Sequence, residues 1–315
     1  MSIALVFPGQ GSQSVDMGKD LYAAFPEARD VFEEVDESLG QKLSKIIFEG
    51  PESDLNLTEN TQPALMAVSM AVIAVLKKQG GIDIGKNCAF VAGHSLGEYA
   101  ALTAAGTLKL SDTAKLLKLR GQSMQKAVPV GVGAMAAILG LDLPDVQAIA
   151  SEAAGKDICQ CANDNSPGQV VVSGHKQAVE RAAALATEKG AKRAVMLPVS
   201  APFHCSLMKP AADIMAEALA ATNMAAPALP VVSNVTAKAE NQTDRIRDLL
   251  VSQITDMVRW RESVLWMKGQ GVTDMVEIGA GKVLGGLIRR IDKDIACDSV
   301  ATPEGIENLI RKLKG

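Results

Sequence analysis

The chain has 315 residues and a formal net charge of −4, with 36 acidic side chains against 32 Lys and Arg. Apolar residues make up 48% and charged residues 22%, the balance of a folded chain with one large core, or a core plus a smaller subdomain. There is no global basic field for a nucleic acid, and 3% aromatics are too few for a base-stacking platform.

Residues 3–7 predict a strand, followed by a glycine-rich loop, Pro8-Gly9-Gln10-Gly11-Ser12-Gln13. The start of the chain lacks the basic n-region and long apolar run of a signal peptide, so a cytoplasmic location is expected. Helical periodicity dominates to about residue 79. Its nearly apolar window, 63–76, is too short for a membrane span and predicts a buried helix. A short apolar strand at 89–92 runs into Gly93-His94-Ser95-Leu96-Gly97 and a helical segment. G-x-S-x-G between a strand and a helix is the pattern of a nucleophile elbow. Its glycines permit a turn too tight for side chains, and the serine hydroxyl stands at a helix N-terminus. The alternative is an ordinary glycine-rich turn with serine as the helix cap. Another helix is expected over 111–127, with Ser111 and Asp112 as capping residues.

From residue 128 the texture changes. A strand at 133–141, a helix at 144–154 and a strand at 157–162 lead to the turn Asn165-Ser166-Pro167-Gly168. A strand at 169–173, a helix at 176–189 and a strand at 194–199 complete the order βαββαβ, a ferredoxin-like unit. Helix–strand alternation resumes after residue 202, with strands near 229–235 and 272–278. The expected architecture is α/β, a body with a parallel sheet formed by 1–127 and 202–315, carrying 128–201 as an insert.

Two nucleotide-like patterns fail on context. Gly131-Val132-Gly133-Ala134-Met135-Ala136 fits G-x-G-x-x-A but opens a strand instead of closing one. Residues 80–87 approach a phosphate loop, yet Asn87 replaces the Ser or Thr that holds magnesium, and a helix precedes them. The five cysteines (Cys88, Cys159, Cys161, Cys205 and Cys297) lack disulfide-framework spacing. Cys159 and Cys161 share one side of their strand, but no His or second Cys pair completes a metal site, so free thiols are expected.

A catalytic serine needs a base, and the chain has three histidines. His94 adjoins Ser95, and consecutive side chains in extended backbone diverge, so a packing role beneath the elbow is expected. His175 opens a helix in a polar stretch and reads as a surface cap. His204 lies in a loop stiffened by Pro198 and Pro202, at the junction of insert and body, and is the candidate base.

Residues Phe7 through Gln13, Gly93 through Glu98, and Pro198 through His204 resemble the malonyl-CoA:acyl-carrier-protein transacylase family. The resemblance continues through Met124-Gln125, residues 133–137, Asn165 through Val170 and Gly281 through Leu284, and so covers almost the whole chain. It implies a hydrolase-like α/β core carrying a ferredoxin-like insert. The implied enzyme moves malonyl from malonyl-CoA to the phosphopantetheine thiol of acyl carrier protein for fatty-acid synthesis. The CoA thioester is a substrate, so neither cofactor nor metal is implied.

On that basis Ser95 attacks the thioester and His204 accepts its proton. The oxyanion would meet the backbone N–H of Leu96 and, by resemblance, that of Gln10; the plain alternative for Gln10 is a solvated residue in a tight turn. Arg120 matches the family arginine that clamps the malonyl carboxylate, a task suited to its planar, always charged fork. Its plain alternative is a helix-end arginine. No acid in a distinctive strand-end turn lies between Ser95 and His204, and the family orients its histidine with a main-chain carbonyl, here that of Gln253. A Ser–His dyad without a catalytic acid follows.

Phe203 resembles the malonyl-selective pattern, whereas Asn163 either lines the cleft or forms a turn. Thr255-Asp256-Met257-Val258 replaces the family's frequent Asn-Pro-Val ahead of Trp260, and Ala280 stands where proline is frequent. An acidic carrier protein needs a local basic patch, for which Lys192, Arg193, Arg289 and Arg290 are candidates, although each is also readable as solvated charge. The competing readings are a thioesterase or esterase sharing the elbow, opposed by Arg120 and the missing acid, and a non-catalytic scaffold, opposed by the Ser95/His204 pair.

Overall fold

Every residue of Ile3–Phe7 is buried, with no polar face alternating along the strand. A run of that kind suits a parallel strand covered on both faces. The computed structural model describes residues 2–199 and 201–314. Among these the strands are β1 (Ile3–Phe7), β2 (Phe90–Gly93), β3 (Gly133–Leu139), β4 (Cys159–Ser166), β5 (Gln169–His175), β6 (Arg193–Met196), β7 (Val231–Val232), β8 (Ala239–Glu240), β9 (Asp274–Ile278) and β10 (Ala296–Val300).

One sheet has the order β10-β9-β1-β2-β7-β8, parallel throughout except for the terminal β7–β8 pair. Ligand sites in such sheets lie beyond the carboxyl ends of the strands, where β1 and β2 deliver the first glycine-rich loop and the elbow. The second sheet, β4-β5-β3-β6, is antiparallel, the strand order of a ferredoxin-like unit. The helices Leu143–Ala154 and Lys176–Glu188 bury Val146, Ile149, Val179 and Ala182 against it in a separate apolar cluster. The fold is thus α/β with a parallel-dominated sheet and a separate antiparallel one.

The helix Thr58–Lys78 is long and apolar enough by composition to cross a membrane, but 83% of that window is buried in the protein. A helix apolar on all sides belongs in a core, as the sequence predicts for 63–76.

Several expected boundaries shift. β4 runs on to Ser166, so Asn163 and Asn165 belong to a strand and the turn is confined to its last residue with Pro167 and Gly168. The strand near 229–235 shortens to Val231–Val232, because Asn234 leaves the ladder to bond the elbow. β3 ends at Leu139, and β6 spans only Arg193–Met196. The 111–127 helix begins at Leu110, with Ser111 and Asp112 inside its first turn and no side-chain cap at Lys109. His175 stands at the N-cap of its helix as expected, but its side chain makes no capping bond; Nδ1 instead accepts the Ile158 N–H at 2.9 Å.

The two sheets are tied at the segment that departs from the family pattern. Val258 donates to the Ala162 carbonyl at 2.9 Å and accepts from the Asp164 N–H at 3.0 Å. Beside this bridge Arg261 Nε donates to the buried Asp164 carboxylate at 2.9 Å. Burial, helped by the nearby Glu262 and Asp142 carboxyls, raises the Asp164 pKa, and Arg261 opposes that rise. Replacing Arg261 with alanine leaves the carboxylate buried without its cation and is expected to cost about 3 kcal/mol in urea unfolding at neutral pH. The loss should shrink in acid, where the carboxyl takes up a proton. An unchanged midpoint at pH 7 would refute the clamp.

Candidate active site

The chain reverses between the end of β2 at Gly93 and the helix that starts at Leu96. A Cβ on Gly93 would sit 1.9 Å from the Gly97 carbonyl carbon, and one on Gly97 would sit 2.2 Å from the Phe7 carbonyl oxygen. No side chain fits either position. Between them Ser95 takes φ 54 and ψ −110, a conformation that non-glycine residues avoid unless their surroundings impose it. Asn234 supplies much of that imposition. Its Oδ1 accepts the Ser95 N–H at 2.7 Å, and its Nδ2 donates to the Gly93 carbonyl at 2.6 Å.

His204 Nε2 lies 2.9 Å from Ser95 Oγ, and its Nδ1 lies 2.7 Å from the Gln253 carbonyl oxygen. A carbonyl only accepts, so Nδ1 carries the proton and Nε2 is left to accept the serine hydroxyl. Burial first, then the nearby Arg120 charge, push the His204 pKa down to about 3. The imidazole is therefore neutral at physiological pH.

Arg120 projects from the helix Leu110–Lys126 and is 1% exposed. Nη1 donates to Gln62 Oε1 at 2.8 Å, and Nη2 donates to Ser95 Oγ at 3.1 Å and Gln253 Oε1 at 2.9 Å. The Tyr99 ring lies 5.6 Å below the guanidinium. Burial lowers the Arg120 pKa. All three of these acceptors are neutral, so the cation is held beside the serine with its charge uncompensated by contact, ready to pair with an anion.

Ser95, Arg120 and His204 face a cleft of about 180 Å³, also lined by Gln10, Leu96, Asn163 and Phe203. Met135, Val171, Leu197 and Val199 supply an apolar wall from the antiparallel side. Gln253 lies beneath the cleft, 1% exposed. The four basic candidates do not line it. Arg290 donates to Gln169 Oε1 at 2.7 Å and Arg289 to the Cys297 carbonyl at 3.3 Å.

His94 tilts onto the Trp260 ring at 5.8 Å, and it also lines the cleft, with Nε2 2.8 Å from Asn165 Oδ1. Sequence reasoning missed Gln62, Asn165, Glu98 and Asn234 as participants. These amides and the carboxyl carry no spacing signal; Glu98, standing just after the elbow, had the only local cue.

A family model described as acyl transferase domain matches residues 4–296. The chain is 48% identical over 303 residues to the malonyl CoA-acyl carrier protein transacylase of Escherichia coli K12, covering 96% of this chain and 97% of that protein. Its counterpart from Bacillus subtilis is 45% identical over 313 residues, covering 99% and 97%. Among solved structures, an acyl-carrier-protein S-malonyltransferase from Bartonella henselae superimposes with a TM-score of 0.98 at 56% identity, covering 100% of both chains. A malonyl-transacylase in complex with its type II PKS acyl-carrier protein superimposes at 0.95 with 44% identity, covering 99% of this chain and 100% of that one.

The His204 environment makes a direct prediction. With its pKa lowered from 6.5 to about 3, the ring should remain neutral at pH 5, with the proton on Nδ1, as read by nitrogen NMR of the imidazole. The unfolded chain takes up that proton near 6.5, so this group removes stability as the pH falls from there toward 3. An imidazolium signal at pH 5 in the folded enzyme would contradict the assignment.

Proposed function

The chain belongs to the acyl transferase domain family, as a malonyl-CoA:acyl-carrier-protein transacylase, and from that premise we propose that it works through a malonyl ester on Ser95 with His204 as the base. The observation that carries this reading is the contact series from Ser95 Oγ to His204 Nε2, and from His204 Nδ1 to the Gln253 carbonyl, beside a buried arginine.

Ser95 Oγ attacks the thioester carbonyl as His204 Nε2 takes the hydroxyl proton. The Gln253 carbonyl steadies the resulting imidazolium through Nδ1–H, the work an acid performs in other serine enzymes. The tetrahedral oxyanion is received by the Leu96 N–H, at the start of a helix where the first donors have no intrahelical partner, and by the Gln10 N–H. Collapse breaks the carbon–sulfur bond, and His204 returns its proton to the CoA thiolate. The second half repeats these steps with the phosphopantetheine thiol as nucleophile: His204 takes the thiol proton, the bond from the malonyl carbonyl carbon to Ser95 Oγ breaks as the carrier thioester forms, and His204 returns that proton to Ser95 Oγ. A positioned base contributes roughly 10²–10⁴ in rate, and each oxyanion donor about 10²–10³.

Arg120 pairs with the malonyl carboxylate in place of its contact with Ser95 Oγ, while Gln62 and Gln253 keep it aimed and Phe203 and Asn163 shape the acyl pocket. An acyl group lacking that carboxylate leaves the desolvated cation unpaired, a penalty an apolar pocket cannot impose. The reaction requires neither metal nor cofactor on this reading. Residues 1–127 and 202–315 form the catalytic body and 128–201 the insert that walls the cleft. Lys192, Arg193, Arg289 and Arg290 remain the proposed contacts for the acidic carrier, and a cytoplasmic location fits both substrates.

Ser95→Ala is expected to abolish the covalent malonyl adduct seen by intact mass after mixing with malonyl-CoA; an adduct of equal yield on the variant would end this reading. Arg120→Ala should lose malonyl transfer by about 10²-fold or more yet gain relative activity toward acetyl-CoA, from the loss of a charge-assisted bidentate pair. Equal falls for malonyl and acetyl, measured as kcat/KM, would show that Arg120 is no clamp.

A further inference from the structure

Glu98 stands in the first turn of the elbow helix, 2% exposed and outside the cleft lining. Its Oε2 accepts from Gln253 Nε2 at 2.7 Å and from the Asn234 main-chain N–H at 3.1 Å. Burial raises the Glu98 pKa to about 7, but the Asn234 N–H can only donate, so Oε2 is an acceptor and selects the NH₂ end of the Gln253 amide. Gln253 Oε1 is thereby turned to Arg120, which donates to it at 2.9 Å. Nε2 of the same amide also donates to the Ser95 carbonyl at 3.0 Å, and the Gln253 main-chain carbonyl receives His204 Nδ1 at 2.7 Å. One glutamine thus holds the cation with its side chain, the base with its backbone and the elbow with its amide hydrogens.

We infer that Glu98 is a positioning residue for the transacylation, setting the polarity of the Gln253 amide so that Arg120 and His204 both face Ser95. With the amide reversed, Nε2 would meet the guanidinium donors, and Arg120 would lose one of the three neutral acceptors that aim it. Asn234 extends the arrangement, because the carboxylate that orients Gln253 also bonds the backbone of the residue pinning Ser95. The inference rests on the roles given above to Ser95, His204 and Arg120.

The test compares Glu98→Leu, which removes the acceptor, with Glu98→Gln, whose amide oxygen still accepts from Gln253. Two quantities are read on folded enzyme: the malonyl-over-acetyl preference of the Ser95 adduct, and the rate at which phenylmethanesulfonyl fluoride, which carries no carboxylate, modifies Ser95. Glu98→Leu is expected to lower the preference about tenfold, the scale of one lost hydrogen bond to a charged group, and to slow sulfonylation. Glu98→Gln should restore both to within about threefold of the parent. Should Glu98→Leu fail to fold, Glu98→Asp, which withdraws the carboxylate from Gln253 by one methylene, must lower the preference in the same direction.

A Leu or Asp variant that loses only melting temperature and keeps the parental preference would overturn the inference and leave Glu98 a purely structural tie. Loss in Glu98→Gln equal to that in Glu98→Leu would overturn it too, since amide polarity would then not be what matters. A parent enzyme without any Ser95 adduct would instead overturn the reading of the site itself.

Discussion

The backbone reversal at Ser95 is the constraint around which the rest of the molecule is arranged. A left-handed serine costs on the order of 1–3 kcal/mol and persists only where its neighbours over-determine it. Here they do so from three directions. Gly93 and Gly97 remove the atoms that would collide, β1 brings the Phe7 carbonyl against the turn, and Asn234 bonds the backbone on both sides of the serine. The hydroxyl is therefore placed by the parallel sheet rather than by a mobile loop. Such support is what a reacting atom requires if it is to stay within hydrogen-bond distance of its base.

His204 reaches that hydroxyl from a different part of the chain, and its own backbone is also left-handed, at φ 57. The proline-flanked loop that carries it packs near Gly133, where a Cβ would lie 2.4 Å from the Pro202 ring. The antiparallel unit accordingly does more than wall the cleft. It seats the loop bearing His204, and the bridge between β4 and Val258 ties that unit to the segment just after Gln253. Thr255-Asp256-Met257-Val258 departs from the family's usual residues there, yet it still docks through main-chain bonds, which depend little on side-chain identity.

Features that were legible in the sequence have local causes. A glycine pair flanking a serine announces a tight turn, a run of apolar residues announces a doubly covered strand, and the order βαββαβ announces the antiparallel unit. His204 emerged by elimination, because a chain with three histidines offers few alternatives. Arg120, Gln10 and Gln253 became visible only through the family resemblance, since an arginine in a helix or a glutamine after one carries no signal of its own. Asn234 and Glu98 stayed hidden for a related reason: their partners lie 139 and 155 positions away, at Ser95 and Gln253. The short strands Ala239–Glu240 and Ala296–Val300 escaped notice because neither has the apolar alternation that marks a strand.

The Arg120 guanidinium, the proposed carboxylate clamp, has an effect on the cleft even when it is empty. Burial first, and then this charge, discourage the His204 imidazole from binding hydrogen ions, so Nε2 stays unprotonated and able to accept the Ser95 hydroxyl over the whole physiological range. On the proposed mechanism no ionisation has to precede the first turnover, and modest acidification would leave His204 unaltered. Readiness here is an electrostatic property of the empty cleft, maintained by the same group to which the proposed mechanism assigns the anionic end of the substrate.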